Sequence, residues 1–556
     1  MIGIISRNEE RSIVGEFFEL FKTPWEFYRH DRSYDVVLST AESKNIPNAR
    51  LLLMFGSEKK EVDDEKKIKY YASQESRIVE CEERDLPIYG DFLTFHEPED
   101  PLIRTKETHE AVGVEIKKSG KRIIRIGYDL FKEIGFLLNS GQPAAHAAIP
   151  TLEIHIDMLR KCILRAGIPL IEIPPVPARY RFIACLTHDV DFFGIRNHRF
   201  DHTMYGFIYR ALCGSLIGFY RGLISKKILV KNWKAALSLP LVYLGIMKDF
   251  MIQFDRYIEL EQGLSSTYFF VPWKNTSGQK GSGRAPKKRA TKYDITDVVP
   301  EIKKLVACGS EVALHGIDAW HDSERGRAEL ERISQVIGDS RIGVRMHWLY
   351  FSENSSKALD QAGFVYDSTI GYNDAVGYRS GTSQVFRLPG TSHIVELPLI
   401  VMDTAMFYPQ RMNLRAPQAF QLCKRIIDNM RIYGGVFTVN WHERSLAPER
   451  NWDDFYINLL EMLRDEKAWF ATAKQAVKWF EKRRSILFDE VELSQNKIRV
   501  NLKAYKKDDL PNLLIRIHQP RIKSAEDDRG KKDSSICHEE YIDIPWSGEP
   551  QFETAY

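Results

Sequence analysis

From Arg181 to about Ser485, short and nearly continuous apolar runs alternate with amphipathic stretches. The runs Phe182–Thr187, Ser266–Val271, Glu311–Leu314, Gly343–His347, Phe364–Asp367, Val395–Met402 and Gly435–Trp441 read as buried strands. Between them, Val298–Ala307, Glu324–Ile337, Ser355–Ala362 and Pro417–Ile432 carry apolar residues at helical spacing. Such alternation over about 300 residues predicts an α/β unit with a parallel sheet, open or closed into a (β/α) barrel. Residues 1–150 repeat the theme on a smaller scale, with strands at Met1–Ser6, Tyr34–Ser39, Arg50–Phe55, Ala111–Ile116 and Arg122–Ile126 and helices at Glu10–Phe21 and Asp129–Asn139. They predict a separate N-terminal α/β domain. Residues 151–180, ending in the Pro-rich Ile173-Pro174-Pro175-Val176-Pro177, read as a connector. The period-2 pattern Ile498-Arg499-Val500-Asn501-Leu502 makes 486–556 a small β appendage, and the charged stretch after Pro520 predicts a mobile tail.

Length and composition narrow the class without naming it. The 556 residues suffice for about three or four domains. With 44% hydrophobic and 28% charged residues the chain can bury a core, which excludes wholesale disorder. A net charge of +3 leaves no general attraction to a nucleic acid polymer. Seven scattered cysteines without a C-x-x-C exclude a disulfide scaffold or zinc ribbon and fit a reducing compartment. Cys81, between acidic neighbours, is a poor nucleophile. The first ten residues turn charged before a signal-peptide core forms, and the run Ala235 to Met247 falls short of the roughly 18 residues that span a bilayer. The expected location is cytoplasmic.

The polar residues that stand out lie at the C-terminal ends of the 181–485 strands, where α/β barrels place their chemistry: Asp189, Asp191, His315, Arg345, His347, Asp403 and His442. In Leu186-Thr187-His188-Asp189-Val190-Asp191, positions two apart share a face of the strand. Two carboxylates that close repel unless a cation or shared proton intervenes. A surface turn would be the plain reading, but the run before them is that of a buried strand. His315, with Gly316 after it and His321 six positions on, can offer two imidazoles to a metal, although most such pairs are not ligands. His442 closes the run Gly435–Trp441; alone, it is more simply a structural histidine.

Taken in order, these segments resemble the polysaccharide deacetylase family, the NodB-homology or carbohydrate esterase family 4 fold, over roughly Arg181 to Ser485. Thr187-His188-Asp189-Val190-Asp191 is similar to a spaced form of the family's T-F-D-D-G motif, which implies Asp189 as base and Asp191 as metal ligand. His315 fits the first histidine of H-(S/T)-x-x-H, but Ala319 occupies the second position. His321 is then the expected second histidine ligand, with Asp318 the alternative. Arg345 fits the arginine of R-x-P that holds the base, with His347 where proline is usual. Asp403, or alternatively Asp367, corresponds to the acid that tethers the catalytic histidine, and Asn440-Trp441-His442 to the L-x-H motif that supplies it. The resemblance implies a deformed (β/α) barrel and a divalent metal, zinc first, with cobalt, nickel or manganese as substitutes. In that reading Asp189, Arg345, Asp403 and His442 are catalytic, Asp191, His315 and His321 bind metal, and Tyr350, His347 and Trp441 contact substrate.

The expected activity is hydrolysis of an N-acyl, foremost N-acetyl, group from an amino sugar, with water activated at the metal. A carbohydrate-binding or scaffolding module without turnover, and an esterase or other amide hydrolase on the same fold, are the alternatives. Two basic stretches bear on the partner. An insertion at about 196–250 carries seven Lys/Arg and no acid between His202 and Asp249, mixed with apolar residues; Lys274–Thr291 carries six more, again without an acid. The first reads as a helical cap on the barrel or a peripheral membrane contact at the inner surface. The second reads as a solvated loop or a site for the phosphates of a nucleotide- or lipid-linked sugar.

Overall fold

The computed structural model describes residues 1–41, 47, 49–65, 70–72, 78–96, 101–118, 121–281, 283–494, 497–502, 508–520, 541–546 and 548–555. Its central feature is a curled half-barrel sheet in a mixed α/β chain. The strands run in the order Phe386–Arg387, Val395–Glu396, Tyr366–Asp367, Val344–Met346, Glu311–Gly316, Ser266–Phe270, Ile183–Val190, Val436–Asn440, Val401–Met402, every neighbouring pair parallel but the first. Ile183–Val190 is buried along its whole length, as its unbroken apolar run requires of a central parallel strand. Helices Val299–Ala307, Ser323–Ile337, Ser355–Ala362 and Ala416–Tyr433 turn apolar faces to one continuous core, in which Phe182, Leu186, Phe270, Leu314, Ile333 and Met430 meet. Parallel pairing brings the C-terminal ends of the strands to one rim, so residues far apart in the chain converge there.

One expected strand divides. Val395–Met402 is two short strands far apart in the sheet: Val395–Glu396, between Tyr366–Asp367 and the antiparallel Phe386–Arg387, and Val401–Met402 at the other edge. The residues between them cross the open side, with Leu397, Leu399 and Ile400 donating N–H bonds to the carbonyls of Asp367, Ile370 and Thr438. An apolar run records burial but not which neighbour each half joins.

An 11-stranded mixed sheet occupies the first part of the chain, parallel through Trp25–Phe27, Ile2–Ile5, Val36–Ser39, Leu51–Phe55 and Lys121–Ile126 and antiparallel beyond. Helices Arg11–Phe21, Leu130–Asn139 and Thr151–Arg165 cover it, and its core runs on to Ile370, Phe386 and Leu388 at the edge of the half-barrel. Near the end of the chain, Leu513–His518 pairs with Leu170–Glu172 on one side and Tyr541–Trp546 on the other. Phe488–Ser494, Lys497–Leu502 and Gln551–Ala555 form a further antiparallel sheet. Within the stretch expected to be a mobile tail, 541–546 and 551–555 are strands, paired to Leu513–His518 and Lys497–Leu502. Residues 521–540 lie outside the described residues.

Candidate active site

The rim of the half-barrel opens into a cavity of about 670 Å³, lined among others by Asp189, Asp191, His347, Trp348, His442 and Arg450. Three potential ligand atoms converge at its floor, from Asp191, His315 and His347. Asp191 Oδ1 lies 3.0 Å from His315 Nε2 and 3.4 Å from His347 Nε2, and is buried with no hydrogen bond to it. His315 Nδ1 is 2.9 Å from the Arg345 carbonyl, which can only accept, so Nδ1 carries a proton and Nε2 is the atom turned toward Asp191. Burial pushes His347 down to about 3 against the pull of Asp191, which keeps this ring neutral. One carboxylate and two imidazoles with open positions suit a divalent transition metal, so the residues present fit the ion that the motifs imply.

The expected ligand His321 does not join this group. The N–H groups of Ile317 and Asp318 bond to Glu329 at 2.8 and 2.7 Å and fix the turn after the strand. His321 Nε2 then lies 3.3 Å from Asp318 Oδ1. Asp318, the alternative ligand, is engaged by Arg325 Nη1 at 2.9 Å and the Gln279 N–H at 2.8 Å. His347, expected as a substrate contact, is the second imidazole. It reaches the floor because Glu311–Gly316 and Val344–Met346 pair with His315 opposite Arg345, placing His347 on the neighbouring strand end. The chain then turns through left-handed Trp348 and Leu349.

Two charge-bearing groups flank these ligands. Asp189 Oδ1 accepts from Arg345 Nη1 at 2.9 Å and Oδ2 from Asn440 Nδ2 at 2.7 Å. Arg345 is fully buried, its other N–H groups on Thr187 Oγ1 and on Ser368 Oγ and carbonyl. Burial would raise the Asp189 carboxyl, but His315, Arg345 and His442 outweigh it and hold it below the ordinary range. On the other side, His442 Nδ1 lies 2.7 Å from Asp403 Oδ1, and its backbone N–H donates to Asp403 Oδ2 at 2.7 Å. Ser445 Oγ completes the grip on Asp403. Burial would lower His442, yet the Asp403 pair raises it, and its free Nε2 lies 3.5 Å from Asp191 Oδ2. The other expected tether, Asp367, bonds instead with Thr369 and is remote from His442.

Other expected contacts lie elsewhere. Trp441 is fully buried and stacks on Phe455 and Tyr456, on the face of the chain away from the cavity. Tyr350 packs beneath it, against Trp320 and Trp348, with the Arg289 guanidinium 4.4 Å from its ring. Arg289 is itself a buried tie, donating to the carbonyls of Ser277, Ile317 and His347, so one of the six cations of Lys274–Thr291 is structural. Lys287 and Lys288 line the cavity with His198, His202, Arg444 and Arg450. The sequence reading missed Asn440, Ser445, Arg444 and Arg450. Asn440 had a signal, since it closes the strand Val436–Asn440 two positions before His442.

No family model and no curated protein matches the chain. Among solved structures it is similar to one from Mycobacterium smegmatis described as a polysaccharide deacetylase, at 17% identity over 56% of this chain and 96% of that one, TM-score 0.32. A second, from Pseudomonas aeruginosa PAO1 and with the same description, shares 13% identity over 55% and 92%, TM-score 0.35. A third, from Bordetella bronchiseptica and described as involved in O-antigen biosynthesis, shares 14% identity over 55% and 92%, TM-score 0.23. Likeness at this level adds no weight; the side chains above carry the argument.

Proposed function

We propose that the chain is a metal-dependent hydrolase that removes an N-acyl group, foremost acetyl, from an amino sugar. The observation that carries this reading is the set Asp191, His315 and His347 flanked by an arginine-held carboxylate on one side and an aspartate-held histidine on the other. A divalent ion held by those three residues would polarise the acyl carbonyl and ease the loss of a proton from water. Asp189, kept ionised by Arg345, accepts that proton as the water oxygen bonds to the acyl carbon. Asn440 occupies the other Asp189 oxygen and sets the carboxylate plane. As the C–N bond breaks, protonated His442 gives the Nε2 proton to the departing amine while Asp403 holds Nδ1–H. The products are a carboxylic acid and a free amino sugar, and the protons balance between Asp189 and His442.

The test is a panel of N-acetylated amino-sugar oligosaccharides with O-acetylated glycans beside it. Acetate and primary amine should appear in equal amounts, only with divalent metal, and not with Asp189→Asn. Acetate from the O-acetylated panel alone would replace the amide with an ester. Neither product from any member, by protein that holds metal, would refute hydrolysis of acetylated glycans.

A further inference from the structure

Fifteen of the twenty-three exposed large hydrophobic side chains among the described residues lie between Phe200 and Met247. That segment is a helical excursion. His202–Tyr209 continues through a wide turn, Arg210–Gly214, into Ser215–Tyr220, and Lys226–Tyr243 packs back against it. Lys226–Tyr243 is apolar on two opposite faces. Asn232, Ala235, Ala236, Leu239 and Val242 face the protein and are buried. Val230, Trp233, Leu237, Leu241 and Leu244, spaced by three or four residues along the other face, are exposed, Leu237 by 74% and Leu244 by 72%. The preceding helices add Tyr205, Tyr209, Leu216 and Tyr220 at the same kind of spacing. One apolar stripe per element covers the core; the second has no counterpart among the described residues.

Charge identifies what covers it. From His202 to Lys248 there are seven Lys/Arg and no acid. Arg210 reaches Glu449 and Lys231 reaches Asp453, but among the described residues no ion pair occupies Arg221, Lys226, Lys227 or Lys234. Exposed lysines flanking an apolar stripe complement a surface that is anionic outside and hydrocarbon beneath. No described helix is long and apolar enough to cross a membrane. We propose that residues 200–247 dock the protein in the plane of a bilayer carrying anionic phospholipid. His202 and Thr203, which begin the excursion, also line the catalytic cavity beside Lys287 and Lys288. With the deacetylase reading, on which this clause alone rests, the substrate is an amino sugar carried on an anionic lipid.

Co-sedimentation of the full-length protein with vesicles tests the docking. It should bind phosphatidylcholine vesicles containing phosphatidylglycerol, bind neutral vesicles far less, and release as salt rises. Lys226→Gln with Lys227→Gln should weaken binding roughly twentyfold, at about fivefold per cation. Leu237→Glu with Leu244→Glu should abolish it. Brominated lipid should quench the tryptophan emission of the parent protein, and Trp233→Phe should remove that quenching, a readout that needs no charge variant to fold. No binding to anionic vesicles, or binding indifferent to all these substitutions, overturns the proposal. So does self-association of the parent that Leu237→Glu abolishes without any vesicle binding, which would make the face a contact between copies. Asp189→Asn should bind vesicles like the parent, so a failed hydrolase reading leaves this result interpretable. Equal acetate release from a vesicle-borne N-acetylated glycolipid and a soluble oligosaccharide would overturn the substrate clause alone.

Discussion

Replacing His347 with alanine should strip the protein of its metal, and the same change at His321 should not. The structure sets the sizes of the two effects. His347 Nε2 is one of three ligand atoms, 3.4 Å from Asp191 Oδ1, and its loss leaves one carboxylate and one imidazole. Substituting outer-shell partners of a metal site typically costs about ten- to a hundredfold in affinity. Losing a direct ligand should exceed that, which places the loss at about 3 kcal/mol or more. His321 contributes a 3.3 Å contact to Asp318, which keeps Arg325 and the Gln279 N–H without it, and an edge contact with the Trp320 ring. Its removal should cost under about 1 kcal/mol of stability and leave affinity unchanged. The assay is a competitive zinc titration against a chromophoric chelator, with metal content by mass spectrometry after dialysis. A His347→Ala protein that keeps full affinity, or a His321→Ala protein that loses it, would refute the assignment and return the second imidazole to the turn after His315.

Three further outcomes follow from the flanking groups. Asp189→Asn and His442→Ala should each lower kcat about a hundredfold or more while zinc titration still reports the parent affinity, because neither supplies a ligand atom. Arg345→Met removes the cation that offsets a buried carboxylate, so urea unfolding should report a loss of about 3–5 kcal/mol, partly recovered when Asp189→Asn is added. Glu443, buried near Asp249, is pushed up to about 8 by burial, against its bond from the Gln253 N–H and the pull of Arg444 and Arg450. Between the ordinary glutamate range and that value the folded state holds a proton that the unfolded state has released. This contribution to stability therefore declines as pH rises through the window, by on the order of 5 kcal/mol, and thermal unfolding across pH should show it flattened in Glu443→Gln.

The half-barrel was legible wherever a strand is buried on both faces. Phe182–Thr187 and Ser266–Val271 have no polar face to disguise them, and the described strands Ile183–Val190 and Ser266–Phe270 overlap both. Legibility failed where the same apolar run serves two distant places in the sheet, as in Val395–Met402, because pairing partners are non-local and leave no mark on composition. The strands near the end of the chain were illegible for the converse reason. Tyr541–Trp546 is mostly exposed and looks unlike a core strand, yet Leu513–His518 offers it six residues of ladder.

The site divides along the same line. Asp189 and Asp191 sit two apart, so their shared location followed from strand periodicity, and Asp403 and His442 each close an apolar run. The second imidazole did not follow, because a search for it within one turn assumes that both ligands come from one loop. Here the turn after His315 is held by Glu329 and Asp318, and the vacant direction is filled from the next strand, where His347 stands two residues past the arginine opposite His315. In the proposed reading, Ala319 and His347, both departures from the motifs the chain resembles, form a single exchange: the imidazole missing after His315 is supplied by the neighbouring strand end, which leaves one carboxylate and two imidazoles to hold a metal. That pairing also gives the exchange a consequence: Ala319 is fully buried, and Ala319→His should pack poorly there rather than rescue metal binding in a His347→Ala background.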